Sequence, residues 1–215
     1  ILEPSNTFKV IVEYRGAASA VIECSAGGGH TSTPWLGDSA CTKLCGIDSK
    51  LRALCSDASS CRNSPVASVV SLRCGGEWNV IPRHGVAGIN VRVPAGYTYE
   101  DVLDFVKGLA PSDCSVALRS FTPPVKVSPS NPVPRALMRG LLRLGFKPTL
   151  ARKFGTSDMN LLYGKVTHDT AAYGPGRSEL SHTDREVISV EELGVGAAVY
   201  GLAVLQLSEW WVANH

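Results

Sequence analysis

The chain has 215 residues, 44% hydrophobic and 19% charged, with a formal net charge of +2. That length admits one large domain or two small ones, and the composition is that of a folded globular protein without low-complexity tracts. So balanced a charge does not point to nucleic acid or an anionic membrane as the main partner, and apolar stretches such as residues 195–207 are too short and too rich in Gly and Ala for a membrane span.

The chain opens on Ile1-Leu2-Glu3-Pro4, apolar and without Met, as if cut inside a strand. The expectation is a fragment whose upstream signals lie out of view; no basic segment followed by an apolar one marks a secretion leader. Residues 8–14 (FKVIVEY) alternate as a strand, Arg15-Gly16 turns the chain, and residues 20–24 extend again. Three glycines then precede His30. From Asp38 a helical pattern places Cys41, Leu44, Cys45, Ile47, Leu51 and Leu54 on one face. Residues 66–72 and 86–93 are β-branched strands separated by a Gly-Gly turn and Asn79-Val80-Ile81-Pro82. Tyr99–Leu109 reads as an amphipathic helix capped by Thr98, with Glu100 and Asp101 in its first turn, and residues 115–119 form a strand.

The order strand, helix, strand, strand, helix, strand over residues 8–120 is that of a ferredoxin-like split βαβ domain, an α+β unit with its own core. A Pro-rich connection, Thr122-Pro123-Pro124 and residues 128–134, leads into a second segment. It carries a helix at 134–144, a strand at 149–152, a helix from about Ser157, a strand at 170–173 and a last helix from Val190 to about Val212. Strands of an α/β layer need neighbours and cover on both faces. Residues 121–215, with residues 1–7, are therefore expected to be part of an α/β domain whose other strands lie upstream.

Seven cysteines are present. No paired CxxC or nearby histidines mark a zinc site, so the expectation is buried, reduced thiols; disulfides in the cytosol would need a hyperthermophilic source. Of the histidines, His84, His168 and His215 read as solvated turn, loop and terminal residues. His30 ends the glycine run, where backbone can approach another molecule closely. His182 follows Tyr173-Gly174-Pro175-Gly176, at the carboxyl end of an apolar strand where ligand sites of α/β sheets gather. Glu3 precedes a proline that fixes chain direction. From spacing alone, each stays open between a surface turn and a ligand. The adjacent pair Glu191-Glu192 opens the last helix, where it complements the helix dipole.

Five ordered segments carry more: LEPSN (2–6), NVIP (79–82), INVRV (89–93), KFGTSDMN (153–160) and AAYGPGRSELSHTDRE (171–186). Together they resemble the dinuclear-zinc deacetylase and carboxypeptidase family that includes acetylornithine deacetylase and succinyl-diaminopimelate desuccinylase. Within it, FGTSDMN and AYGPG are most similar to the branch releasing lysine or ornithine from the carrier protein LysW, in lysine and arginine biosynthesis.

The resemblance implies an α/β zinc-hydrolase catalytic domain, of which this chain holds the C-terminal part, interrupted by the ferredoxin-like lid. It makes Glu3 a ligand of one zinc and His182 a ligand of the other, with cobalt as a substitute metal. Imidazole and carboxylate suit a hydrolytic zinc that keeps a position open for water, whose pKa falls to roughly 7. His30 would reach the partner's site in a homodimer formed through the lid and donate to the oxyanion. Asn79 and Arg92 would bind the polar end of the substrate, and Gly155, Thr156 and Ser157 would contact it from the catalytic domain through N–H groups at a helix start.

Ser181 and Asp184 stand where the family has Asp and Pro around the histidine, and Arg177 where the branch has Asp; support of the ligand and charge preference are affected. The remaining metal ligands and the general base belong upstream. A cytoplasmic enzyme acting on small-molecule or carrier-linked amino acids follows, without nucleic-acid or membrane partners. The alternatives are a metallocarboxypeptidase or dipeptidase of the same family, or a non-catalytic dimerisation module.

Overall fold

The protein is described by a computed structural model covering residues 1–54, 57, 59 and 61–214. Cys55 and His215 lie outside the described residues. The elements in order are β1 (Lys9–Tyr14), β2 (Gly16–Ser25), β3 (Gly29–His30), α1 (Ala40–Leu54) and β4 (Val66–Cys74). There follow β5 (Val80–Ile81), β6 (His84–Val93), α2 (Tyr99–Leu109), β7 (Cys114–Thr122) and β8 (Val125–Lys126). The chain ends with α3 (Pro132–Arg143), β9 (Thr149–Lys153), α4 (Asp158–Leu162) and α5 (Val190–Asn214). Two compact units result, Arg15–Pro124 and a discontinuous unit of Ile1–Tyr14 with Val125–His215.

In the continuous unit the sheet is antiparallel with strand order β4-β6-β2-β7. Strands β2 and β6 bury every second residue, so Ala18, Ala20, Ile22, Ala87, Ile89, Val91 and Val93 face one way. They meet Leu44, Ile47 and Leu51 of α1 and Val102, Val106 and Leu109 of α2 in one core. Period-2 strands against period-3.6 helices produce this two-layer packing. The α2 start is fixed by a capping box, in which Thr98 accepts from the Asp101 N–H and the Asp101 carboxylate accepts from the Thr98 N–H. The order β2-α1-β4-β6-α2-β7 is the expected ferredoxin-like arrangement, with the small β3–β5 ribbon inserted.

One boundary differs from expectation. Residues 8–14 were expected to open the lid, but β1 pairs in parallel with β9 and antiparallel with β8, in the other unit. Val10 and Ile11 are both buried, as on a strand covered on both faces. The chain enters the lid at Gly16, where a Cβ would stand 2.2 Å from the Thr122 carbonyl oxygen and 2.7 Å from the Pro124 nitrogen. Only glycine fits there, and β2 is the lid's true first strand.

The cysteines also depart from expectation. Cys24–Cys114 and Cys41–Cys74 are disulfides, Cys61 is disulfide-bonded, and Cys45 is free and exposed. Cys24 and Cys114 face each other in register on β2 and β7, a proximity that their sequence separation of 90 conceals.

In the discontinuous unit, Val10 on one side of β1 packs with Leu137 and Leu141 of α3 and Val199 and Ala203 of α5. On the other side Ile11 and Tyr14 pack with Val125, Val127, Met159 and Ala172. The expected strand at 170–173 is reduced to isolated bridges, Ile11 with Ala172 and Leu2 with Tyr173. Helix α5 extends well beyond the apolar stretch seen in the sequence. Its 24 residues Val190–Ala213, with a mean hydropathy of 1.4 in an 18-residue window, are long and apolar enough to cross a membrane by length and composition alone. Val199 and Ala203 seat it on the core, while Val204, Leu205 and Val212 are exposed.

Candidate functional site

The first residues of the chain are held against the segment after Tyr173. The Glu3 N–H donates to the Tyr173 carbonyl, the Ser5 N–H to Gly174, and the Asn6 N–H to Gly176. The buried Ser5 hydroxyl donates to the Gly174 carbonyl at 3.0 Å and lies 3.1 Å from the Gly174 N–H, which it accepts. A Cβ on Gly174 would come within 2.7 Å of the Glu3 carbonyl oxygen. The glycine thus lets the two segments touch, and their contact brings Glu3 and His182 to one place.

That place is an open cleft of ≈ 600 Å³. Glu3, Tyr14, Lys153, Gly155, Thr156, Glu179, His182 and Glu186 are among the side chains and backbone that line it. His182 adopts a left-handed backbone, φ 65°, and its N–H donates to Glu186 Oε2 at 3.0 Å. Lys153 Nζ donates to the Pro4 carbonyl at 2.6 Å and lies 3.7 Å from Glu3 Oε2. Tyr14 is 1% exposed, and its hydroxyl has no hydrogen-bond partner among the described residues. Burial, and then the charge of Glu3, push its phenol well above the ordinary value; the nearby Ser157 hydroxyl pulls the other way, outside hydrogen-bonding geometry.

The structure therefore gathers Glu3, His182, Gly155 and Thr156 in one cleft. Ser157 is used differently from expectation. Its hydroxyl accepts from the Met159 N–H and its own N–H donates to Asn160 Oδ1, so both are engaged in capping the short helix α4. Among the described residues, no three His, Cys, Asp or Glu side chains converge to hold a metal ion. Glu3 and His182 are donors of the kind zinc takes, but two are fewer than the three or four that a zinc site draws from protein. They fit a share of a metal centre.

The other expected residues belong to the lid unit. His30 lies on the β3–β5 ribbon, in register with Val80, and the Thr31 N–H donates to the Asn79 carbonyl at 3.2 Å. His30 and Asn79 are thus neighbours. The exposed His30 ring accepts the Ser32 N–H at Nδ1, 3.1 Å away. Arg92 is not with them. It lies eight positions along β6 from His84, roughly 27 Å at the rise of an extended strand, and its carbonyl accepts from Arg15.

Reading the sequence missed Tyr14, Lys153, Glu179 and Glu186 at the cleft. Lys153 stood in the KFGTSDMN segment, and Glu186 lies four residues after His182, so nearness to the motifs was a usable signal for both. Nothing local marked Tyr14, which read as the end of a strand.

Comparison with known proteins gives these features a setting. Residues 12–114 match the model of the peptidase dimerisation domain. The chain is 36% identical over 206 residues to a LysW-lysine/LysW-ornithine hydrolase of Saccharolobus islandicus, covering 95% of this chain and 57% of that protein. A hydrolase of the same description from Sulfurisphaera tokodaii is 31% identical over 205 residues, again covering 95% and 57%. Among solved structures, aminopeptidase PepT from Bacillus cereus superposes with a TM-score of 0.79 at 20% identity, over 96% of this chain and 56% of that one. An M20 family metallo-carboxypeptidase from Sulfolobus solfataricus gives 0.70 at 15%, over 96% and 62%.

Residues 12–114 thus carry the peptidase dimerisation domain, and the fold of the chain is that of the peptidase structures on which it superposes. The chain spans 57% of the length of the LysW-lysine/LysW-ornithine hydrolases it matches.

Proposed function

We propose that the protein to which this chain belongs is a metal-dependent hydrolase of a linear amide bond, releasing lysine or ornithine from an N-acyl or LysW conjugate. The observation that carries this reading is the meeting of Glu3 and His182 in one cleft beside Gly155 and Thr156. Glu3 would serve one zinc and His182 the other, the remaining ligands and the general base coming from outside this chain; cobalt could replace zinc. When bound, such metals supply Lewis-acid polarisation of the amide carbonyl and lower the pKa of a water to roughly 7.

The chain's own residues orient and stabilise. Lys153 pins the backbone beside Glu3, and Glu186 holds the amide of His182. Because His30 Nδ1 accepts a backbone N–H, its neutral ring carries the proton on Nε2. Nε2 has no partner among the described residues, and it suits a donor to a developing oxyanion. His30 and Asn79 would act together on a partner subunit in a homodimer formed through the lid, with Arg92 acting separately on the substrate's carboxylate. The reading carries with it a cytoplasmic enzyme of amino-acid biosynthesis, without nucleic-acid or membrane partners; disulfides there fit a hyperthermophilic source.

The test uses the full-length protein with N-acetyl-lysine and with LysW-linked lysine. Zinc should bind, hydrolysis should stop with a chelator and return with metal. Hydrolysis indifferent to chelator would refute the reading. For the chain alone, the absence of a three-donor metal group among the described residues and the complete core of the lid favour a second description, a dimerisation and binding module.

A further inference from the structure

Among the described residues two buried hydroxyls have no hydrogen-bond partner, those of Tyr14 and Tyr173, and of the two only Tyr14 lines the cleft. Tyr14 is the last residue of β1, the central strand of the β8-β1-β9 sheet, where it pairs with Val125 on one side and Lys153 on the other. Its ring shares a buried cluster with Ile11, Val125, Val127 and Met159, so the side chain is fixed by packing. Buried hydroxyls are normally hydrogen-bonded, because an unsatisfied one forfeits its hydration. The Tyr14 hydroxyl has no partner among the described residues, yet the residue lines the same cleft as Glu3 and His182. A rigid ring with an unsatisfied O–H at the wall of a ligand cleft is a preorganised donor.

We propose that Tyr14, which lines the cleft that holds Glu3 and His182, donates a hydrogen bond from its hydroxyl to the acyl oxygen of the scissile group. That oxygen is the carbonyl in the substrate and a carboxylate oxygen in the product. This rests on the hydrolase reading and adds a second donor to the one proposed for His30, as sites that stabilise an oxyanion use more than one. Lys153, whose Nζ lies 3.7 Å from Glu3 Oε2 and 5.9 Å from the centre of the Tyr14 ring, offsets the carboxylate's charge so that an electron-rich oxygen can approach.

The experiment is Tyr14→Phe in the full-length protein, which keeps the ring and removes one oxygen. The expected result is a fall in kcat/KM for N-acetyl-lysine of about a hundredfold, weaker binding of acetate followed by NMR, and an unchanged or higher Tm. A kcat/KM and an acetate affinity within threefold of wild type would overturn the proposal, as for a hydroxyl that only holds a water. A fall in Tm accompanying the loss of activity would overturn it too, since it marks a structural hydroxyl. Failure of the hydrolase reading is seen separately: wild type then splits no amide, while acetate binding still reports on Tyr14.

Discussion

Lys153 Nζ reaches the Pro4 carbonyl at 2.6 Å while lying 3.7 Å from the carboxylate of Glu3. One cation therefore secures both the backbone and the charge of the segment that carries the candidate ligand. Lys153→Met keeps the apolar stem and removes the donor. It should cost roughly 1.5–3 kcal/mol, the range for a hydrogen bond from a charged group. Urea denaturation measures this, and an unshifted midpoint would contradict it.

Glu3→Gln and His182→Ala test the shared metal centre. In the full-length protein each should lose one of the two zincs proposed, read by elemental analysis after dialysis. Each should also lower kcat/KM by at least about a hundredfold, since even residues that only support a ligand cost up to that much. Full zinc content in both variants would remove the metal role.

Gly174→Ala places a methyl 2.7 Å from the Glu3 carbonyl oxygen and 3.1 Å from its carbon. Backbone lies on both sides of the clash, so relief requires the segments to part. A loss of about 1–3 kcal/mol is expected. Thermal unfolding is the check.

The acid response should depend on Glu192. Its carboxylate accepts from the Thr7 hydroxyl at 2.8 Å and the Ser189 N–H at 3.3 Å, and these bonds hold its pKa below 4.5. A carboxyl with a lower pKa folded than unfolded stabilises above the unfolded value and loses that contribution as pH falls through the folded one. Glu192→Gln should therefore be less stable than wild type at neutral pH, and the gap should close below about pH 4. Urea midpoints between pH 7 and pH 3 decide it, and a gap that is constant with pH would refute the assignment.

The disulfide between Cys24 and Cys114, separated by 90 residues, closes a long loop in the unfolded chain. Replacing both with Ala should destabilise the protein by about 3–4 kcal/mol. Reductant should lower the Tm of wild type and move the variant less.

Elements whose signals are local were legible in the sequence. Helix α2 was readable because Thr98 and Asp101 form its cap within four residues and Val102, Val106 and Leu109 make its stripe. The assignment of β1 failed for a physical reason: alternation marks a strand but says nothing of which sheet it joins, and its partners, β8 and β9, lie more than a hundred residues further along the chain. Pairings between distant cysteines leave no periodic trace. At the cleft, Glu3 and His182 were found only because motifs around them resemble a family, while Tyr14 has no motif and shows itself only through its unsatisfied hydroxyl.

Tyr14 pairs with Val125 in one sheet, and Ala17 pairs with Thr122 in the other. Each unit thus brings its own two cut ends side by side and closes without help from the other. Residues 15–124 have the geometry of a cassette: a short turn joining Tyr14 to Val125 would splice the host unit, and a lid from another source could be grafted at the same seam.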